Sequence, residues 1–293
     1  MNSRLRRLLA AAALLLPAAP ALAGDGIVAV LSSAGGVYME AFSAFQAEYG
    51  SEVPYIDASR EKVALPAGTR TVVTFGTKAI AQQYPPEVSI VSCMAPGYFI
   101  KPQGREGRLV KIAMTPGLEQ IITTLKRLQP GLRRLRVFWT VQTFGAFAET
   151  MRQAGEASGV KVTSVKVVDP EKLPALLRGA RSEMDAFWLP PDPLLITPDT
   201  LLIFREFSWS NGIPMYATTK GIAKEGACAS VGISFAESGA AAARAAKALQ
   251  AGETPPAVVF PEKIELTLNA SAARKCGLQL PPELVREAAY LFP

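Results

Sequence analysis

The sequence predicts an α/β fold of two domains, each built on a parallel sheet, and three observations carry that prediction. Short apolar runs rich in Val, Ile and Phe alternate along the chain with helical patterns, the rhythm of successive βαβ units. Runs such as TVVTF and RVFWT are apolar at nearly every position, as strands covered on both faces must be. Midway, at YFIKPQGREGRLVKIAMTPG, the rhythm breaks and then resumes, which divides the strands into two groups.

In chain order, the first group has a strand at 27–31 and a helix at 37–49. A strand at 71–75, a helix at 78–83 and a strand at 88–92 follow. The second group has strands at 135–139, 162–167, 186–189 and 213–217. Helices at 144–158, 170–182 and 198–210 separate them. The remainder is a strand at 227–233, an Ala-rich helix at 237–250, an extended segment at 258–269 and two short helical pieces. That tail is too small for a third domain and is expected to cross between the first two. A weak internal echo links TKAIA, from Thr77, with TKGIA, from Thr219: each follows a strand, so the two stretches are expected at matching places in the two halves.

The first 23 residues carry Arg4, Arg6 and Arg7, an apolar stretch at 8–16 and Ala21-Leu22-Ala23 before Gly24, the pattern of a secretory signal cleaved after Ala23. A membrane-spanning helix would need about 20 apolar residues without the breaks at Pro17 and Pro20. Export is the expectation, and no cysteine follows the cleavage site to carry a lipid. Cleavage removes three arginines and no acids, so the net charge of +6 becomes +3 over the 270 residues left from 293. The charges are scattered, apart from Arg133-Arg134-Leu135-Arg136, which reads as a solvated approach to a strand; a nucleic-acid partner is not expected.

Histidine is absent, which removes the commonest general base, every Ser-His-Asp or Cys-His arrangement and the commonest metal ligand. No paired acids stand at a suitable spacing, so the expectation is a binding protein and not an enzyme, with no cofactor and no metal. Cys93, Cys228 and Cys276 are an odd number for an oxidising compartment. A bridge between Cys228 and Cys276 and three small buried residues with no bridge are both open readings.

In open α/β sheets, ligands bind beyond the carboxyl ends of the strands. The loops at those ends supply the candidate ligand contacts: Ser33 and Tyr38 from SSAGGVY, Gly76, Thr77 and Lys78 from GTK, Met94 from SCMAPGY, Thr140 and Phe144 from WTVQTF, Asp192 from WLPPDP, and Thr218 and Lys220 from ATTK. Hydroxyls for a carboxylate, aromatic faces for an apolar body and an acid for an amine suit a small amphipathic ligand. Asp192, between prolines, reads either as an exposed acid on a rigid loop or as a turn residue capping backbone N–H groups. Trp188 reads as core.

The fragments TVVTFGTKAIA, LKRLQPGLRRLRVFW, DAFWLPPDPLL, NGIPMYATTKG, GACASVGISFAESGAAAARAAKALQAGETP and LTLNASAARKCGLQLPPEL resemble the ABC-transporter substrate-binding family whose ligands include aromatic amino acids. The resemblance implies a type I periplasmic binding protein fold, two Rossmann-like α/β lobes joined by several hinge crossings, here near Thr115, Ile233 and Asn269. It implies lobes of 24–114 with 233–258 and of 115–232 with 259–293. It further implies a periplasmic monomer that takes a small molecule, an amino acid among the candidates, and a membrane permease as partner; a sensor or accessory module of the same fold is the alternative. Two departures fall in the first lobe: only 58–70 separates VPYID from TVVTF, shortening the usual crossover helix, and Cys93-Met94-Ala95-Pro96 replaces the family's Asp-Pro after the fourth strand.

Overall fold

The structure, a computed structural model, describes residues 26–96 and 104–293; the expected secretory signal and the end of the SCMAPGY loop lie outside them. The first sheet contains β1 (Ile27–Leu31), β2 (Tyr55–Asp57), β3 (Thr71–Phe75), β4 (Ser89–Cys93) and β5 (Leu109–Ile112), all parallel. Helix α1 (Gly36–Tyr49) follows β1, and the single turn α2 (Thr77–Ile80) follows β3. The second half runs α3 (Leu118–Leu128), β6 (Arg134–Trp139), α4 (Thr143–Ala157), β7 (Lys161–Lys166), α5 (Leu173–Ala180) and β8 (Ala186–Leu189). It continues with α6 (Pro198–Asn211), β9 (Met215–Ala217), α7 (Lys220–Lys224) and β10 (Ala229–Gly232).

The chain then returns to the first half. Helix α8 (Phe235–Gln250) packs on α1, and β11 (Val258–Val259) adds to β5 in parallel. Finally β12 (Glu265–Asn269), α9 (Ala270–Lys275), α10 (Pro282–Glu287) and β13 (Tyr290–Phe292) complete the second sheet, with β12 antiparallel to β10. The strand orders are β2-β1-β3-β4-β5-β11 and β7-β6-β8-β9-β10-β12-β13, so the first five strands of each half follow one plan.

Strand pleating explains the continuous apolar runs. Successive side chains point to opposite faces, so Ile27, Ala29 and Leu31 enter one core while Val28 and Val30 enter another. In β8, Ala186 and Trp188 face one core, and Phe187 and Leu189 the other. Each fully buried aliphatic or aromatic side chain contributes about 1.5–3 kcal/mol relative to exposure. The helices carry matching signals: Thr197 caps α6 by accepting the N–H of Thr200 at 3.2 Å, Pro198 opens its first turn, and Gly212 ends it at φ 63°.

The Ala-rich composition of α8 serves a close helix contact. A Cβ on Gly239 would stand 1.9 Å from the Ala41 carbonyl oxygen, and Ala241, Ala242, Ala245 and Ala246 are buried in the same core. Small residues let α1 and α8 approach to a distance that larger side chains would forbid.

The chain passes between the sheets at 113–117, at 233–234 and at 260–264. The third passage was expected near Asn269. Instead the extended segment at 258–269 splits: Val258 and Val259 pair with Lys111 and Ile112, whereas Glu265–Asn269 pairs with β10. Val259, expected in the second lobe, therefore belongs with the first sheet. The stretch 58–70 holds turns and no helix. Within the basic run only part is solvated: Arg134 pairs with Asp185 at 2.7 Å on the surface, but Arg136 is buried and ion-pairs with Glu183, because its side chain points to a core face of the sheet.

Candidate functional site

The carboxyl ends of the parallel strands gather most of the expected residues, sheet by sheet. In the first sheet the β1 loop and the β3 loop touch. Gly76 adopts φ +96°, and a Cβ there would stand 2.5 Å from both Ser32 Oγ and Tyr38 Cε1. Glycine is required for its backbone angle and for the close approach. Ser32 Oγ accepts the Ala79 N–H at 3.0 Å, and Gly76 donates to the Cys93 carbonyl at 2.9 Å, so β1, β3 and β4 end in one connected rim.

A second brace comes from Asp57 at the end of β2. Its carboxylate accepts Ser59 Oγ at 2.6 Å, Ser59 N at 2.8 Å and Ala34 N at 3.1 Å, which ties the β1–α1 loop to the neighbouring strand. The Ser59 hydroxyl holds its carboxyl below the usual carboxylate range against the opposing effect of burial, with help from the Ser59 and Ala34 N–H groups and Arg60.

Asp192 does the corresponding work in the second sheet. One carboxylate oxygen accepts Thr140 N at 2.6 Å and Val141 N at 2.8 Å; the other accepts Leu194 N at 3.0 Å and Leu195 N at 3.2 Å. The residue is 0% exposed. The reading of Asp192 as an exposed ligand contact is corrected: it is the turn-capping acid, because four backbone donors surround it and none of its surface reaches solvent. In each sheet a buried carboxylate thus pins the loop that follows the first strand, β1 or β6.

The other expected residues divide by exposure. Thr77 and Lys78 are exposed, and Ser33, Tyr38 and Thr140 are half-buried. Met94 is buried and holds φ 56°, the one positive φ outside glycine among the described residues. Phe144 is buried in the first turn of α4, edge-on against Phe147, which stacks on Trp188. The Thr218 hydroxyl is buried with no protein partner at the end of β9. Lys220 is exposed, but its ammonium stands 3.8 Å from the Tyr290 ring centroid and offsets the charge of Glu265, whose pKa is raised first by burial and further by Glu40 of α1.

The sequence echo does not mark equivalent places. Thr77 follows β3, the third strand of the shared plan, and Thr219 follows β9, the fourth; the counterpart of Gly76 to Lys78 is the Asp192 turn after β8. Sequence reasoning missed Ser32 and Asp57. Asp57-Ala58-Ser59 carries a legible signal, an Asp whose side chain bonds backbone two residues on. Among the described residues no group of three or more His, Cys, Asp or Glu is placed to hold a metal ion.

Each half is thus a mostly parallel sheet with loops presented at the carboxyl ends of its parallel strands. The profile of the family described as ABC transporter substrate binding protein matches residues 112–291, and the chain belongs to that family. Solved structures share the fold at low identity. A ligand-free, open substrate binding protein with adhesive properties from Clostridium difficile has a TM-score of 0.65 at 13% identity, covering 91% of this chain and 98% of that one. An ABC domain in complex with L-Trp from Streptococcus pneumoniae has a TM-score of 0.59 at 17% identity, covering 91% and 100%. A conserved domain protein from Vibrio cholerae has a TM-score of 0.60 at 13% identity, covering 90% and 98%. A comparison with curated proteins returns no match.

Proposed function

We propose that the protein is an extracytoplasmic receptor that closes two lobes on a small molecule and delivers it to a membrane permease. The lobes are 26–112 with 235–259, and 118–232 with 265–293, following sheet membership. The observation that carries this reading is the pair of braced rims at the carboxyl ends of parallel strands: on the first sheet Ser33 and Tyr38 in the loop pinned by Asp57, with Gly76 to Lys78 packed against it, and on the second Thr140 held by Asp192. Rigid rims on two bodies joined by three passages suit hinge closure, with ligand favouring the closed form by its differential affinity.

Amino acids lead the candidate ligands because one structural relative holds L-Trp and a further one, from Desulfitobacterium hafniense, holds Leu. Asp192 is committed to backbone donors, and Asp57 to backbone donors, the Ser59 hydroxyl and Arg60, so an ammonium group must find its acid elsewhere. The screen therefore includes simple carboxylates and sugars beside amino acids. A ligand that binds only the native state raises the melting temperature in proportion to the logarithm of its concentration over Kd. Stabilisation by one class that saturates at one molecule per chain supports the reading. A protein that purifies folded and ignores every class contradicts it.

A further inference from the structure

Beside α5 the second half carries an open groove of about 430 Å³ that shares no residue with either rim. One wall is a single helical face: Lys172, Ala175, Leu176, Gly179, Ala180 and Glu183 recur three and four residues apart, from the turn before α5 to the turn after it. Alanine and glycine keep that wall low, and a Cβ built on Gly179 would meet nothing within 4 Å. The other wall is Arg136 of β6, which is 8% exposed.

A guanidinium carries five N–H donors, and this buried one is incompletely used. Its Nη2 donates to a Glu183 carboxylate oxygen, while Nε is buried with no protein acceptor. Arg152 shows the complete fork, engaging Glu149 through both Nε and Nη2. Glu183 is held loosely by comparison with its partner: its side chain is 64% exposed, on the short turn Arg181–Glu183, so it can swing into water. Arg136 cannot follow, because strand pleating fixes it on the core face that also carries Phe138. At the opposite end of the groove Lys172 adds a second cation, 3.7 Å from Asp169.

We propose that this groove is a second small-molecule site, which takes a carboxylate bearing a short unbranched apolar chain. The carboxylate replaces Glu183 and spans Nη2 and Nε of Arg136, the planar pairing that a guanidinium fork favours. The chain lies along Ala175, Leu176 and Gly179. A bare inorganic anion leaves the apolar wall uncovered, and a neutral chain leaves the buried Nε–H unpaired. The site is independent of the receptor reading above. Thr140 and Asp192 stand at the carboxyl ends of the strands, whereas Arg136 lies in the amino-terminal half of β6 and Glu183 precedes β8.

The test titrates hexanoate into the purified full chain, with hexanamide as the uncharged control. Saturation transfer to the hexanoate protons reads affinity, and the Arg136 Nε–H resonance, assigned by its loss in Arg136→Lys, reads position. Hexanoate is expected to bind saturably and to shift that resonance, and hexanamide to do neither. Glu183→Gln removes the tethered competitor and should tighten hexanoate by about ten-fold. Arg136→Lys keeps the charge but loses the fork, and should weaken it by about ten-fold or more. Gly179→Leu fills the groove from a helix position that accepts leucine, and should abolish binding while the chain stays folded by circular dichroism. Hexanoate that binds folded Gly179→Leu as it binds wild type, or that leaves the Arg136 resonance unmoved, sits elsewhere, the rims included, and overturns the proposal. Equal binding of hexanamide, unchanged affinity in Glu183→Gln, or no binding of hexanoate overturns it as well.

Discussion

Asp192 accepts the backbone N–H of Thr140 at 2.6 Å, a bond between the turn after β8 and the loop after β6. With its three further backbone donors, it makes one buried carboxylate the organiser of two strand-end loops. Removing it strands donors that each cost about 1–3 kcal/mol when left buried and unpaired. Asp192→Ala should therefore destabilise the protein by at least about 3 kcal/mol, a fall in melting temperature of about 6–12 °C. An unchanged melting temperature with lost ligand affinity would reinstate the direct-contact role.

Gly76 should tolerate no side chain. Alanine there faces the left-handed backbone at φ +96° and contacts of 2.5 Å with Ser32 and Tyr38. Gly76→Ala is expected to cost about 1–3 kcal/mol and to weaken binding of any ligand found by thermal shift. Parallel denaturation and calorimetry check both effects; wild-type affinity in the variant would remove this rim from the site.

At the α1–α8 contact, Gly239→Ala puts a carbon 1.9 Å from the Ala41 oxygen, and backbone on both helices must shift. Overpacking of this kind costs about 1–3 kcal/mol, and chemical denaturation should show it. Ala240, on the same helix but half-buried, is the control position: Ala240→Ser should leave stability near wild type.

Asp57 predicts a pH dependence. Its folded pKa lies below the unfolded value, so its contribution is present above the unfolded pKa of about 3.9 and is lost as pH falls through the folded one. The melting-temperature difference between wild type and Asp57→Asn should be largest near neutrality and should shrink below about pH 4. A difference that stays constant down to about pH 2 would remove Asp57 as the titrating brace.

The main strands were legible because burial on both faces leaves continuous β-branched and aromatic runs, as in TVVTF and RVFWT. Strands β2, β5 and β13 are short and partly exposed, at or toward the sheet edges, and Tyr55, Leu109 and Tyr290 carry too little pattern to announce them. Helix α3 follows directly on the break between the two groups and was not read from it, although Ile121, Ile122, Leu125 and Leu128 follow helical spacing. At the strand ends, the side chains that face outward were less legible than the loops that carry them. An acid between prolines looks the same on paper whether its carboxylate points to solvent or back to four backbone donors, as found for Asp192. That choice depends on Thr140 and Val141, some 50 residues away in the chain.

The central claim is that one solute engages the rims of both sheets together. Hydrogen–deuterium exchange on the full chain, with and without a ligand identified by thermal shift, tests it most directly. Ligand should protect 32–38 and 76–78 on the first sheet and 140–144 on the second simultaneously. Protection confined to one sheet, or to the groove lined by Ala44, Glu237 and Lys263 beside the passages, would contradict it.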